Sequence, residues 1–448
     1  MIQSAQFDQL VGSLYPMLAS DESLVVNLTA ERSQFARFNA SKVRQIGTVE
    51  DALLELKIQT GEAGSFKEAS GGITLTGDAK LDFSRAEFEL KRLQKEARLL
   101  PVNPYLSEVR NNGKSRSVRE GRILDPKQAA QSLLPPMGRL TLTGLYSAGR
   151  MIRANANSCG QSHWFETDQF TLDYSVDPGT GGDHAVKGEF SGLSWDDAAF
   201  ARELESAAHK SESLRLASRK LARGKYRVFL SPGAMHELVA MFSWGALSEA
   251  AIRQGDSPLI RLRSGEFSFS SKFSLSEDFR PGDVPRFNEE GELSPEHLEL
   301  IRNGSLVNTL ISATTSREYG VTANGASRSE TLRSPSVGTG KLEDADVLAR
   351  LGEGIYLSNL HYLNWSDQPG GRVTGMTRHA CFWVENGKFV APIQNMRWDD
   401  TLFSLLGPEL EDLSSSVTVI PSTGSYGFRQ LGASRIPGAL VRGMEFTL

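Results

Sequence analysis

The amino-acid sequence predicts an α+β protein of two domains, an N-terminal α/β domain followed by a mostly antiparallel β domain. Three observations lead there. At 448 residues the chain exceeds what one hydrophobic core ordinarily organises. Helical and strand periodicities alternate up to about residue 253. Beyond it the pattern turns to strands, with Asn-Gly steps at Asn303-Gly304 and Asn386-Gly387, the strongest short hairpin signal.

In chain order, Phe7, Leu10, Val11, Leu14 and Leu18 fall on one side of a helix over 5–20. LVVNLTAE, QFARFNASKVRQIGT and DALLELKIQTG have strand character, with a reversal expected at Asn39. A charged helix follows over Ser84–Leu99. The Pro-, Gly- and Arg-rich stretch 101–136 reads as irregular, with one short helix near Lys127–Leu133. Strands resume at Leu140–Leu145 and Thr171–Val176. Ser194 opens a helix to about Ala222, with Asp196 and Asp197 in its positive first turn. The domain border is placed at that helix, dividing the chain into 1–193 and 194–448. The strand YRVFL leads into Ser231-Pro232, an N-cap followed by proline at the first helical position, and a helix to Arg253. EFSFSSKFSL alternates like a half-buried strand. Two hairpins and two closing strands, SSVTVIP and ALVRGMEFTL, complete the second domain.

Composition excludes several classes of function. Hydrophobic residues make up 39% and charged residues 23%, the balance of a globular chain. Lys+Arg total 49 against 54 Asp+Glu, so no basic face recommends a nucleic-acid partner. The Arg-rich stretch Arg110–Arg122 is broken by Glu120 and reads as a solvated loop. Cys159 and Cys381 are too few and too far apart for a disulfide framework or a CxxC metal motif. No signal peptide and no apolar run near the roughly 20 residues of a membrane span are visible, so a cytoplasmic location without membrane contact is expected.

One local pattern carries metal chemistry. His236-Glu237 opens a helix, and such a pair joins a zinc-ligating nitrogen to a carboxylate that deprotonates metal-bound water. The short zinc motif needs a second His four residues on, and that position is Ala240. His361, His379 and Cys381 are the remaining candidates to complete a site with His236. Cys159 near His163 lacks a third group to orient a nucleophilic pair. No phosphate loop, dinucleotide fingerprint or nucleophile elbow occurs. Tyr319, Asn324, Gly325 and Arg328, in EYGVTANGASRS, offer donors and a close-approach glycine for a peptide backbone; a structural turn at Asn-Gly is the alternative.

Several segments, taken in order, resemble the TldD/PmbA family: QFARFNASKVRQ, MIRANANSCG, KYRVFLSPGAMHELVAMF, EYGVTANGASRS, GIYLSNL and VTGMTRHACFWVENGKFVAPIQNMRW. The likeness spans most of the chain. It implies an α/β domain followed by a β domain, and dimers enclosing a cavity. In the catalytic branch of that family, a His-Glu-x-x-x-His helix and a C-terminal Cys hold zinc, and the Glu is the general base. Carried onto this sequence, His236 matches the first ligand and Glu237 the base. Met241 stands where the second His belongs, and Pro421–Gly427, where the Cys belongs, contains none. The resemblance therefore points to the PmbA/TldE-like branch: a non-catalytic subunit, without cofactor, paired as a homo- or heterodimer with a TldD-type zinc metallopeptidase and binding small or unfolded peptides. Two alternatives remain. One is a divergent active metallopeptidase with zinc on non-standard ligands. The other is a regulator linked to DNA gyrase, whose name the family also carries.

Overall fold

The structure, a computed structural model, describes residues 1–62, 64–125, 127–182 and 184–447. Its first sheet grows from one long hairpin. β1 (Glu22–Asn39) and β2 (Lys42–Glu62) pair antiparallel from Glu22↔Thr60 to Asn39↔Lys42. The reversal expected at Asn39 falls on Ala40 and Ser41, both at positive φ, so the three predicted strands are two. β3 (Ser65–Thr74), β4 (Lys114–Arg119), β5 (Thr141–Asn157), β6 (Ser162–Asp177) and β7 (Val186–Gly192) complete the sheet. Its order is β3-β2-β1-β5-β6-β4, with β7 also on β6; β4 runs parallel to β6, and the other pairs are antiparallel.

The two faces of this sheet differ in chemistry because side chains alternate along each strand. Even-numbered residues of β1 and β5 are mostly apolar, interrupted midway by Arg32, Gln34 and Arg150. At one end, Leu24, Val26, Leu28, Ile152 and Ala154 pack under α1 (Ser4–Leu14) and α2 (Ala79–Leu99). At the other, Phe38, Leu142 and Tyr146 pack with α3 (Ala129–Met137) and α4 (Asp197–Ser213), joined by Ala380 and Phe382 from the second half of the chain. Odd-numbered residues present a polar face instead, with Glu31, Ser33, Asn155 and Gln169 buried and Asn27 half-buried.

That polar face receives the second half of the chain. Asn27 and Asn155 donate to the Glu289 carbonyl at 3.0 and 3.1 Å, and Gln161 donates to the Glu290 carbonyl at 3.1 Å. Gly291 fits there because a Cβ would lie 1.7 Å from the Gln161 amide nitrogen. Arg429, 5% exposed, donates to the Gln169 carbonyl at 3.0 Å and lies 3.4 Å from the Ser33 hydroxyl.

The second half holds a nine-stranded and a six-stranded sheet. β8 (Gly224–Leu230) lies inside the larger one, antiparallel to Ala439–Phe446 and parallel to Gly354–Leu357. Both predicted hairpins are present, with Asn303, Gly304, Asn386 and Gly387 all at positive φ. Their shared core joins Met235, Leu238, Phe242, Phe273, Trp398 and Met444. No helix among the described residues is long and apolar enough to cross a membrane.

Several local expectations are corrected. The helix N-cap is Asp196, which accepts from the Ala198 and Ala199 amides, not Ser194, and α4 ends at Ser213 rather than Ala222. Lys114–Arg119 is a strand because it finds β6 as a partner. The predicted helix 232–253 is broken. α5 (Pro232–Ala240) ends in a 3-10 turn, Gly245 takes a left-handed φ of 85°, and Ser248 caps a second helix, Glu249–Gln254. EFSFSSKFSL is irregular up to Leu275. Its alternation reflects Phe269 and Phe273 stacking with Phe242 and Phe403, while Phe267 lies under the Arg261 guanidinium.

Candidate functional site

α5 carries the His236-Glu237 pair. Ser231 caps it, accepting from the Ala234 amide at 3.4 Å and donating to the Ser358 carbonyl at 2.6 Å, which ties the helix start to the strand beside it. Met235, Leu238 and Val239 turn into the core. The opposite side of α5 presents His236 and Glu237 to the polar face of the first sheet.

There the structure places a lysine. Lys187 on β7 forms an ion pair with Glu189 at 3.0 Å, and Glu189 lies opposite Asp173 in the β6–β7 register. Burial pulls the Lys187 ammonium down, but Glu189, Asp173 and Glu237 outweigh it and hold it above the usual value. The same charge is felt across the cleft. Burial, then Lys187, pushes His236 down to about 4, and burial, Lys187, Arg378 and His361 push His379 down to about 4. His361 is also lowered, by burial, Arg378 and Lys187. Burial raises the Glu237 carboxyl, with Lys187 opposing and Glu189 adding to the shift. These imidazoles are therefore neutral around one ammonium, and the Nδ1 atoms of His236 and His379 are buried without a hydrogen-bond partner among the described residues.

A zinc ion does not fit this arrangement. Met241 is 1% exposed and belongs to the hydrophobic core. It lies just past α5, in the 3-10 turn, and its apolar side chain packs with the core. Cys381 is buried with its thiol raised by desolvation, and it donates to the Arg378 carbonyl at 3.2 Å. Among the described residues, no three His, Cys, Asp or Glu side chains converge to hold a metal, whereas catalytic zinc needs three protein ligands. A dication would also face the Lys187 charge.

The other candidates disperse. The His163 Nδ1 lies 2.8 Å from the Ser115 hydroxyl and its ring stacks on Phe287, while the exposed Cys159 thiol donates to the Val109 carbonyl, so they form no nucleophilic pair. Asn324 is occupied internally: its amide donates to the Thr309 carbonyl at 2.7 Å and accepts from Ile311. Gly325 lies against Ser294, where a Cβ would be 2.6 Å from the backbone nitrogen. Tyr319 meets Gln254 at 3.4 Å. Arg328 reaches a cavity, paired with Glu290 at 2.9 Å and Glu68 at 3.4 Å. Lys187 and Arg429 escaped sequence reasoning, since a lysine on a short strand and an arginine in a loop belong to no motif.

With this geometry in place, comparison with known proteins is decisive for the family. Residues 223–448 match the family model for the PmbA/TldA metallopeptidase C-terminal domain, which covers half of the chain. The chain belongs to the TldD/PmbA family. Solved structures share its fold over the whole length. TldE from Thermococcus kodakarensis superposes with a TM-score of 0.78 at 15% identity, covering 99% of this chain and 100% of that one. A suggested modulator of a DNA gyrase from Thermotoga maritima gives 0.75 at 15% identity, with 99% of each chain covered. A similarly described protein from Bacteroides thetaiotaomicron gives 0.75 at 16% identity, with 100% of each covered. No curated protein sequence matches the chain. Within the TldD/PmbA family, then, this member presents a His-Glu helix to a lysine rather than to a completed ligand set.

Proposed function

We propose that this chain is a non-catalytic, PmbA/TldE-like subunit of a TldD-type metallopeptidase system, acting in the cytoplasm, binding small or unfolded peptides and pairing with a catalytic subunit. One observation carries the reading: the side chain standing at the second ligand position, Met241, is packed in the core, while Lys187 faces the His236-Glu237 pair. Thioether sulfur is in any case a poor zinc ligand. The likeness to TldE supports the same branch. The gyrase description belongs to two of the structural neighbours; a net charge of −5 gives no support for direct DNA contact here.

The Nδ1 atoms of His236 and His379, without a partner among the described residues, favour one competing reading, a divergent metallopeptidase that recruits them as ligands. Metal content by mass spectrometry separates the two. Protein purified without chelators or a His-tag, beside its His236→Ala variant, is expected to carry no stoichiometric zinc in either form. About one zinc per chain, lost in the variant and accompanied by chelator-sensitive peptide cleavage, overturns the non-catalytic reading.

A further inference from the structure

A cavity of about 770 Å³ opens on the polar face of the first sheet, far along it from Lys187. β2 and β3 form one wall. The loop that docks through Gly291 forms another, and the helix Ala313–Tyr319 with the loop after it forms a third. The volume lies within the ~300–1,000 Å³ of sites that enclose small ligands.

The charges on its walls nearly cancel in pairs. Glu290 is bound by Lys57 and by Arg328, and Glu68 lies 3.8 Å from Lys57 and 3.4 Å from Arg328. At the rim Glu108 pairs with Arg110 at 3.3 Å. Two lining charges are left over. Glu292 has no cationic partner within ion-pair distance among the described residues; its carboxylate is held by the Asn288 amide at 3.1 Å, and its own backbone N–H donates to Asn288 at 2.9 Å. Burial raises its carboxyl, Asn288 opposes, Glu290 and Glu289 add to the rise, and Lys57, already paired with Glu290 and Glu68, opposes it from beyond ion-pair distance. Arg317 likewise has no carboxylate partner among the described residues, and its only side-chain hydrogen bond there is from Nε to the Pro104 carbonyl at 3.4 Å. A partly buried carboxylate with no cation within ion-pair distance, sharing a cavity with an exposed guanidinium that has no carboxylate partner among the described residues, matches a ligand that carries both charges. The guanidinium fork suits a carboxylate. The balanced walls offer no surplus of positive charge for a phosphate group.

We propose that this cavity is a subsite for a short peptide with both termini free, its ammonium received by Glu292 and its carboxylate by Arg317. The assignment rests on the peptide-binding reading above and names where and by which ends the peptide is held.

The test uses the full chain and tetra-alanine, with its N-acetyl and C-amide forms, followed by NMR saturation transfer and titration. The free peptide is expected to bind, and each blocked terminus to weaken binding about tenfold or more, the weight of one charge-assisted hydrogen bond. Glu292→Gln should erase the penalty of N-acetylation, and Arg317→Ala that of C-amidation. Blocking the ligand needs no change to the protein, so the first arm is independent of folding. Equal binding of free and blocked peptides, or wild-type affinity in both variants, overturns the subsite while leaving peptide binding elsewhere intact. Absence of binding by any form overturns the subsite and the peptide-binding reading together.

Discussion

At the scale of single residues, the chemistry of the motif helix turns on neighbours that lie far away in sequence. His236 and Glu237 stand out in the sequence because zinc enzymes place this pair on a helix. What they meet, Lys187 and Glu189, is set by how β7 of the first sheet comes to face the motif helix. A second buried charge shows the same dependence. Glu277, 2% exposed, accepts the Arg333 and Ser334 amides, each at 2.6 Å, and burial still raises its carboxyl to about 7. Its folded pKa lies above the unfolded value of 4.5, so its contribution to stability is complete below pH 4.5 and is lost as pH rises through 7. Urea denaturation should show about 3 kcal/mol of stability disappearing across that window. Glu277→Gln should flatten that slope; an unchanged slope would assign it to other groups.

At the scale of elements, boundaries were legible where a side chain caps its own backbone and illegible where packing decided. Ser231-Pro232 announced the start of α5 and caps it as expected. Ser231→Ala should cost about 1–2 kcal/mol, since it removes both the cap and the bond to the Ser358 carbonyl. Denaturant titration measures this, and a change below a few tenths would mean water replaces both bonds. The end of α5 was not readable. Its apolar pattern runs on past Ala240, but Gly245 reverses the chain and Ser248 starts a new helix. The Phe-rich segment 266–275 failed for a related reason. An aromatic cluster buries alternate residues as a strand does, and periodicity alone does not separate them.

At the scale of the whole molecule, the buried polar face of the first sheet joins the two halves. Arg429 is held there under Gln169 and Ser33, and burial lowers its guanidinium to about 10, with Glu31 opposing the shift. Arg429→Leu should take the side-chain donor from the Gln169 carbonyl, leave Ser33 only its bond to Glu31, and cost about 3 kcal/mol. Calorimetry is expected to show the single unfolding transition splitting or broadening as the halves uncouple. A sharp, merely shifted transition would show that the remaining contacts, among them the Gly291 loop and the packing of Ala380 and Phe382, keep them coupled.

The sequence by itself determined the class of the fold, the hairpins at Asn303-Gly304 and Asn386-Gly387, the capped start of α5, and the incompleteness of the His-Glu motif. These are local matters of backbone preference, capping and ligand count. Only the tertiary structure decided that Lys187 faces the motif helix, that Met241 turns into the core, and that Glu292 and Arg317 share one cavity. Those juxtapositions depend on which face of a long strand meets which loop, and that choice is made by packing two halves of the chain together.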